Sequence, residues 1–90
     1  MIDMYLPEDT PNFKQKAKKL KKKDKPRFER LMKKINEILE EPNHYEPLSN
    51  KMSGVRRAHL DPFVLTFSVD ENRRVVRFLD FDHHDKIYKN

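Results

Sequence analysis

The first half of the chain has the apolar spacing of helices. From Phe28 to Leu39, apolar residues recur every three or four positions, which is the period of an amphipathic helix. A shorter stripe with the same period runs from Phe13 to Leu20 through a lysine-rich segment. Thr10, followed by a proline, and Asp24 are residues typical of helix N-caps. The pattern therefore predicts a helical hairpin over residues 11–41.

The second half alternates apolar and polar residues, and this period of two is typical of strands. Turn-forming residues at 61–62 and 70–72 divide it into three segments. Residues 1–6 alternate in the same way, with Met4 and Leu6 on the apolar side. The predicted strands are 1–6, 55–60, 63–69 and 73–81, the last three forming a β-meander over residues 54–81.

The order β-α-α-β-β-β predicts a single α+β domain over residues 1–90. Because hairpin-linked strands pair in opposite directions, we expect an antiparallel sheet that carries the helical hairpin on one face. The other face of that sheet is then free for function. Residues 82–90 are mostly polar, and we expect them to form a functional C-terminal segment.

Composition excludes several classes of protein. The chain has no cysteine, which excludes a disulfide scaffold, a thiolate zinc site and thiol catalysis. Its longest purely apolar run is Phe63-Val64-Leu65, too short to cross a membrane. The first residues lack the basic-then-apolar order of a signal peptide. We therefore expect a cytoplasmic protein with no membrane partner.

Charge is concentrated in one segment. The net charge is +5, and residues 14–27 alone carry +8, from nine lysines and arginines against one aspartate. Such a block attracts polyanions, either RNA or an acidic protein. A solvated helix face is the alternative interpretation of the same lysines.

The strand half also carries candidate chemistry. Strand alternation places Arg57 and His59 on one face, and Ala58 and Leu60 on the other. The apolar pair suits the helix-covered side, so Arg57 and His59 should point to the free side. An arginine near a histidine can clamp a phosphate beside a proton-transfer group, although such a pair also occurs by chance on surfaces.

Consecutive histidines near the C-terminus suggest a metal site. His83, His84 and Asp85 are all residue types that bind metal ions. Adjacent residues of an extended chain point to opposite sides, which makes a shared ion geometrically awkward. We therefore expect no metal and no cofactor.

Taken together, these motifs resemble the RelE/YafQ superfamily of type II toxins. Residues 54–62 (GVRRAHLDP) are similar to the YafQ-type pattern of glycine, aromatic, arginine, two residues, histidine and acid-proline. Residues 84–88 (HDKIY) are similar to its histidine, aliphatic, aromatic ending. The 42–48 loop (PNHYEPL) and the basic stripe match as well. The resemblance covers residues 1–89.

That resemblance implies a toxin of the RelE fold that enters the ribosomal A site. It implies cleavage of mRNA by attack of a ribose 2′-OH on the adjacent phosphodiester, which inhibits translation, and inactivation by a cognate acidic antitoxin. His59 and His84 match catalytic histidines, Arg57 matches a basic catalytic position, and Tyr88 matches the aromatic that positions the RNA. The residues expected to bind RNA or the ribosome are Lys14, Lys16, Lys18, Lys19, Lys21, Lys22, Lys23, Lys25, Arg27, Arg56, Arg77, His83 and Lys86.

The chain departs from the family pattern at two basic positions. Val64 stands where RelE has an important arginine, and Asp80 or Asp82 stands at a second basic position. Two alternatives stay open: a ParE-like toxin that poisons DNA gyrase without cutting RNA, and a non-catalytic RNA-binding subunit. Histidines at both matched positions favour the nuclease, because a gyrase poison does not need them.

Overall fold

The computed structural model describes residues 4–48 and 54–88. Within these residues it contains four strands and three α-helices, and no helix there has both the length and the apolar character of a membrane span. The strands are β1 (Leu6–Asp9), β2 (Val55–Leu60), β3 (Phe63–Asp70) and β4 (Val75–His83), and the helices are α1 (Pro11–Lys23), α2 (Lys25–Glu40) and α3 (His84–Ile87), with a 3-10 turn at Pro42–His44.

Side-chain caps define the helical hairpin. The Thr10 hydroxyl accepts a hydrogen bond from the Phe13 N–H at 3.2 Å, and Asp24 accepts one from the Arg27 N–H at 3.1 Å. Each cap satisfies an amide that the first helical turn leaves free, which stabilises a helix by about 1 kcal/mol. The two helices therefore begin where the capping residues predict.

The sheet has the strand order β1-β4-β3-β2. Strands β2, β3 and β4 form the expected antiparallel meander. Strand β1 pairs with β4 in parallel, with Leu6 opposite Val75. The predicted α+β class is confirmed, but the sheet is mixed rather than wholly antiparallel. The two helices separate β1 from the meander, so no hairpin turn forces β1 to run antiparallel.

The first strand lies later in the chain than the alternation predicts. Strand β1 covers Leu6–Asp9 instead of residues 1–6, of which 1–3 lie outside the described residues. The predicted inward residues are exposed, since Leu6 is 66% exposed, whereas Tyr5 is buried. The Tyr5 hydroxyl donates to Glu71 Oε2 at 2.7 Å, and its N–H donates to the Leu39 carbonyl. These bonds hold Tyr5 inward, and β1 begins after it.

Aromatic residues join the hairpin to the sheet. The Phe13 ring of α1 lies 5.5 Å from the Phe78 ring of β4, and Phe78 lies 6.2 Å from Phe67 of β3. Leu31 and Ile38 of α2 complete this core and are fully buried. One face of the sheet is therefore covered by helices, and residues at alternate strand positions point to the other face.

The beginning of α1 covers an edge of the sheet. Strand β4 continues past the end of β1, and a β-bulge interrupts its pairing with β3. The Thr10 hydroxyl donates to the Phe78 carbonyl at 2.9 Å, and Asn12 Nδ2 donates to the Leu79 carbonyl at 2.9 Å. These bonds pair carbonyls that the end of β1 leaves open. They also bring the lysines of α1 beside the C-terminal half of β4.

The Phe13→Ala substitution tests the aromatic contact between helix and sheet. Phe13 is 1% exposed, so truncation leaves a cavity and should lower the free energy of unfolding by about 3–5 kcal/mol. Urea denaturation measures the change. The exposed neighbour Lys14→Ala is the control and should stay within about 0.5 kcal/mol of the parent. A loss below about 1 kcal/mol for Phe13→Ala would contradict a core role.

Candidate functional site

The face of the sheet opposite the helical hairpin, called the free face, carries two rows of residues that are mostly polar. Cross-strand pairing places Arg57 opposite Thr66, and Thr66 opposite Asp80. It also places His59 opposite Val64, which faces Asp82 on the next strand. Residues directly opposite one another share a face. Because Ala58 is buried on the helix side, Arg57 and His59 point to the free face, as the alternation predicts.

Arg57 is held by contacts from two separate parts of the chain. Its guanidinium donates to Glu46 Oε2 at 2.8 Å and to the Leu48 carbonyl at 3.3 Å. It also lies 5.8 Å from the centre of the Tyr88 ring. Two backbone hydrogen bonds tie the 46–48 segment to the edge of β2. This arrangement fixes a cation on the free face before any ligand binds.

Tyr88 reaches Arg57 because the C-terminal segment folds back. The His84 N–H donates to the Pro62 carbonyl at 2.9 Å, which anchors the start of α3 beside the β2–β3 turn. One turn later the Tyr88 N–H donates to the His84 carbonyl at 3.1 Å. The structure thus brings together two of the predicted catalytic residues, Arg57 and Tyr88. It places a third, His84, at the opposite end of α3.

An acidic side chain orients His84. Asp85 Oδ1 lies 2.9 Å from His84 Nδ1, and Asp85 Oδ2 lies 3.5 Å from His83 Nδ1. The ligand atoms of His83, His84 and Asp85 lie within 4.8 Å of one another and could hold a metal ion. The expected awkward geometry is wrong, because the chain turns from strand to helix between the two histidines.

His59 is exposed beside a shallow cleft at the edge of β2. Two strand spacings separate it from Asp82 in the same row, a distance of roughly 10 Å. The His84 N–H is bonded to the Pro62 carbonyl, three residues after His59, so the two histidines lie near the same end of the sheet. The cleft has a volume of about 280 Å³ and is lined by Lys34, His44, Tyr45, Glu46, Arg57, Ala58 and His59.

Lys16 forms ion pairs with two carboxylates at the edge of β4. Its ammonium group lies 2.6 Å from Asp80 and 2.9 Å from Asp82. Burial raises the pKa of the Asp82 carboxyl, but hydrogen bonds from Lys16 and from the His83 N–H outweigh it and hold that pKa below its ordinary value. Burial lowers the pKa of Lys16, but its two aspartate partners outweigh burial and hold that pKa above its ordinary value. Lys16 therefore offsets part of the negative charge of Asp80 and Asp82.

The other predicted RNA-binding residues fall into three groups: lysines that line a cleft, Arg27 against an aromatic ring, and exposed lysines. Lys19, Lys23 and Lys86 line one cleft at the end of the sheet. Arg27 stacks over the Phe63 ring at 4.8 Å. Lys14, Lys18, Lys22 and Lys25 are exposed, as is Lys21, which lies over the Phe28 ring at 5.7 Å.

Two predicted RNA-binding arginines have protein partners. Arg77 lies 3.4 Å from Glu8 and stays largely exposed. The Arg56 guanidinium donates to the Tyr45 carbonyl. Strand alternation directs Arg56 away from the face that carries Arg57. Arg56 therefore does not share the face of Arg57.

Sequence reasoning missed Glu46 and the role of Asp85. Glu46 lies in the 42–48 motif, but nothing in that motif indicates that its carboxylate meets Arg57, eleven residues later. Only the pairing of the loop with the edge of β2 brings them together. The sequence identifies Asp85 as a possible metal ligand, but its contact with His84 depends on the turn of the chain into α3.

Comparison with known proteins gives consistent similarities. Residues 9–88 match the family model of the ParE toxin of type II toxin-antitoxin systems. The chain is 45% identical to a candidate toxin, RelE4, of Methanocaldococcus jannaschii, over 96% of this chain and 93% of that protein. It is 44% identical to a protein of Methanosarcina mazei without an assigned function, over 94% of this chain and 100% of that protein.

Solved toxins share the fold. A RelE variant from E. coli in the free state superposes with a TM-score of 0.78 at 20% identity, covering 96% of this chain and 92% of that one. The RelBE2 toxin-antitoxin complex of Mycobacterium tuberculosis gives 0.78 at 19% identity, with 93% and 95% covered. A YafQ variant from E. coli gives 0.63 at 25% identity, with 92% and 97% covered.

The pH dependence of Asp82→Asn tests the Lys16 contact. Because the folded-state pKa of Asp82 is lowered, its carboxylate stabilises the fold above the ordinary value of 3.8, and this contribution disappears as pH falls through the lower folded-state pKa. The parent should exceed Asp82→Asn in stability by up to about 1 kcal/mol at neutral pH, and the difference should shrink below about pH 4. Urea denaturation across this range measures it.

The exposed Glu29→Gln variant is the control for removal of one negative charge from the surface. Its stability difference from the parent should stay near zero at neutral pH. A difference for Asp82→Asn that stays constant down to about pH 2 would contradict a specific contribution from its carboxylate.

Proposed function

The chain belongs to the ParE toxin family of type II toxin-antitoxin systems, and we propose that it is a ribosome-dependent mRNA endonuclease of the cytoplasm. The observation that supports this proposal most strongly is the contact between Arg57 and Tyr88 on the free face of the sheet. It combines a fixed cation with an exposed aromatic ring, beside histidines that can transfer protons. A phosphodiester next to an unstacked base fits that combination.

The proposed reaction needs a base, an acid and a cation, together with a residue that positions the RNA. The ribose 2′-OH loses a proton and attacks the adjacent phosphorus, and the bond between phosphorus and the 5′-oxygen breaks as that oxygen gains a proton. The products are a 2′,3′-cyclic phosphate and a 5′-hydroxyl. His59 and His84 form the proton-transfer pair, Arg57 stabilises the charge on the crowded phosphorane, and Tyr88 positions the RNA.

Glu46 holds Arg57 in place before the RNA arrives. A guanidinium group binds carboxylate and phosphate oxygens with the same geometry, so a scissile phosphate can replace the Glu46 carboxylate. The Glu46 side chain is 76% exposed and can turn into water without a large desolvation penalty. Arg57 thereby stays oriented in the free protein and becomes available when substrate binds.

Lys16 offsets part of the negative charge that stands where the family pattern has a basic residue. Val64 lies fully buried in the row between His59 and Asp82. Because valine is apolar, this position carries no charge. Lys16 from α1 supplies an ammonium group next to Asp80 and Asp82 instead. We propose that α1, rather than the strand, carries the cations that contact RNA beyond Arg57.

We also propose that an acidic antitoxin inhibits the toxin. The related structures from M. tuberculosis and E. coli include toxin-antitoxin complexes. In this chain the lysines of α1 and the exposed apolar residues Met4 and Leu6 offer charge and apolar surface to such a partner. Apolar patches rimmed by charge are typical of protein interfaces.

The second candidate function is gyrase poisoning without RNA cleavage. It is favoured by one observation, that the matching family model describes ParE toxins. The two functions are separated by mapping mRNA 5′ ends after adding the protein to a translating extract, together with a DNA supercoiling assay. Cuts at codon positions on ribosome-bound message support the nuclease. Supercoiling defects without cuts support the gyrase poison and overturn our proposal.

His59→Ala and His84→Ala test the proton-transfer pair. Loss of a general acid or base typically lowers a rate by about 10²–10⁴-fold, so each variant should cut ribosome-bound message at least about 100-fold more slowly. Asn72→Ala, in the distant turn between β3 and β4, is the control and should cut at the parent rate. The assignment is wrong if both histidine variants cut at close to the parent rate while they remain folded.

Antitoxin binding should raise the melting temperature. A partner that binds only the folded toxin, present at about 100 times its Kd, stabilises it by about 2.7 kcal/mol, which corresponds to a rise of about 10 °C or more for a domain of this size. Thermal unfolding of the chain with and without its cognate antitoxin measures the rise. An unchanged melting temperature at saturation would contradict an antitoxin that covers this toxin.

A further inference from the structure

A cleft separate from the proposed catalytic residues lies between α1 and the ends of β3 and β4. Its volume is about 400 Å³. Its α1 side is formed by residues three or four positions apart, which share one helix face. The lining residues are Lys16, Lys19, Leu20, Lys23, Phe63, Phe81, Asp82 and Lys86.

The cleft combines a cationic rim with an apolar floor. Phe63 and Phe81 lie with ring centres 5.0 Å apart, and the Arg27 guanidinium lies 4.8 Å from the centre of the partly buried Phe63 ring. Lys16 is engaged by Asp82, which leaves the ammonium groups of Lys19, Lys23 and Lys86 around that floor. An unstacked nucleotide has the matching chemistry, since its base is planar and apolar on its faces and its phosphates are anionic.

The position of the cleft connects it to the proposed site. The His83 ring lies 6.1 Å from the Phe63 ring, and His84 follows directly in the chain. Lys86 belongs to α3, the same helix whose end carries Tyr88 to Arg57. A single strand that crosses the free face past α3 can therefore continue into the cleft.

We propose that this cleft binds one unpaired nucleotide of a single-stranded RNA, with the base on the Phe63 side and the flanking phosphates on Lys19, Lys23 and Lys86. The inference rests on the proposed function, because it takes single-stranded message as the substrate. Duplex RNA does not fit the same site, since its bases are stacked and paired and only its backbone would reach the rim. The α1 lysines on this face thus recognise message, in addition to any contact with ribosomal RNA.

The test is a titration of the ¹⁵N-labelled chain with a short single-stranded RNA whose 2′-hydroxyls are methylated, so that it cannot be cut. Amide shifts should concentrate at Leu20, Phe63 and Lys86. The Lys19→Ser/Lys23→Ser double variant should weaken binding at least about fivefold, whereas Arg30→Ser/Lys33→Ser, with the same change in net charge on α2, should weaken it less than about twofold.

The Phe63→Leu variant distinguishes the contribution of the aromatic floor to RNA affinity from that of the lysine rim. It keeps an apolar side chain in the packing but removes the aromatic ring, so affinity should fall while the dependence of binding on salt stays the same. The same oligonucleotide annealed to its complement should not shift the Leu20 and Phe63 amides. Equal weakening by the two double variants, or equal shifts from duplex and single strand, would overturn the proposal.

Failure of this proposal differs from failure of the proposed function. If ribosome-bound message is cut but the oligonucleotide does not shift the cleft amides, the cleft assignment is wrong and the nuclease stands. If the cleft binds the oligonucleotide as described but no message is cut, the nuclease is wrong and the cleft stands. Occupation of the cleft by an acidic antitoxin peptide, with no shift from RNA, would assign it to the antitoxin and overturn the proposal.

Discussion

Burial of Phe78 beneath the helical hairpin is the interaction on which the rest of the structure depends. Phe78 contacts Phe13 of the hairpin and Phe67 of the sheet, and all three are almost completely buried. Burying each such side chain stabilises the fold by about 1.5–3 kcal/mol, and their contacts commit one sheet face to helices. Because strands alternate, the same commitment directs Arg57 and His59 to the opposite face.

Local patterns predict most of the fold, since its elements carry strong local signals. The caps at Thr10 and Asp24 mark both helix starts, and alternation marks the meander. The first strand could not be placed in the same way. Its position is decided by the hydrogen bond from Tyr5 to Glu71, which lies 66 residues away, and its direction by parallel pairing with β4. Long-range pairing of this kind leaves no period in the sequence.

In the candidate site too, some features follow from local sequence patterns and others depend on long-range contacts. Alternation alone places Arg57 and His59 on the free face, and the resemblance to a toxin family draws attention to His84 and Tyr88. The contact of Arg57 with Glu46 and with Tyr88 needs two chain segments to return to β2, one before it and one at the C-terminus. Neither return is visible in residue spacing. The three-dimensional structure adds the partners that orient the functional groups.

The central claim is that these residues cleave RNA by attack of the ribose 2′-hydroxyl. The most direct test is chemical analysis of the fragment ends formed when the protein acts on message in a translating extract. We expect a 2′,3′-cyclic phosphate on the upstream fragment and a 5′-hydroxyl on the downstream one. Fragments that end in a 3′-hydroxyl and begin with a 5′-phosphate would contradict it, because water rather than the neighbouring ribose would then be the nucleophile.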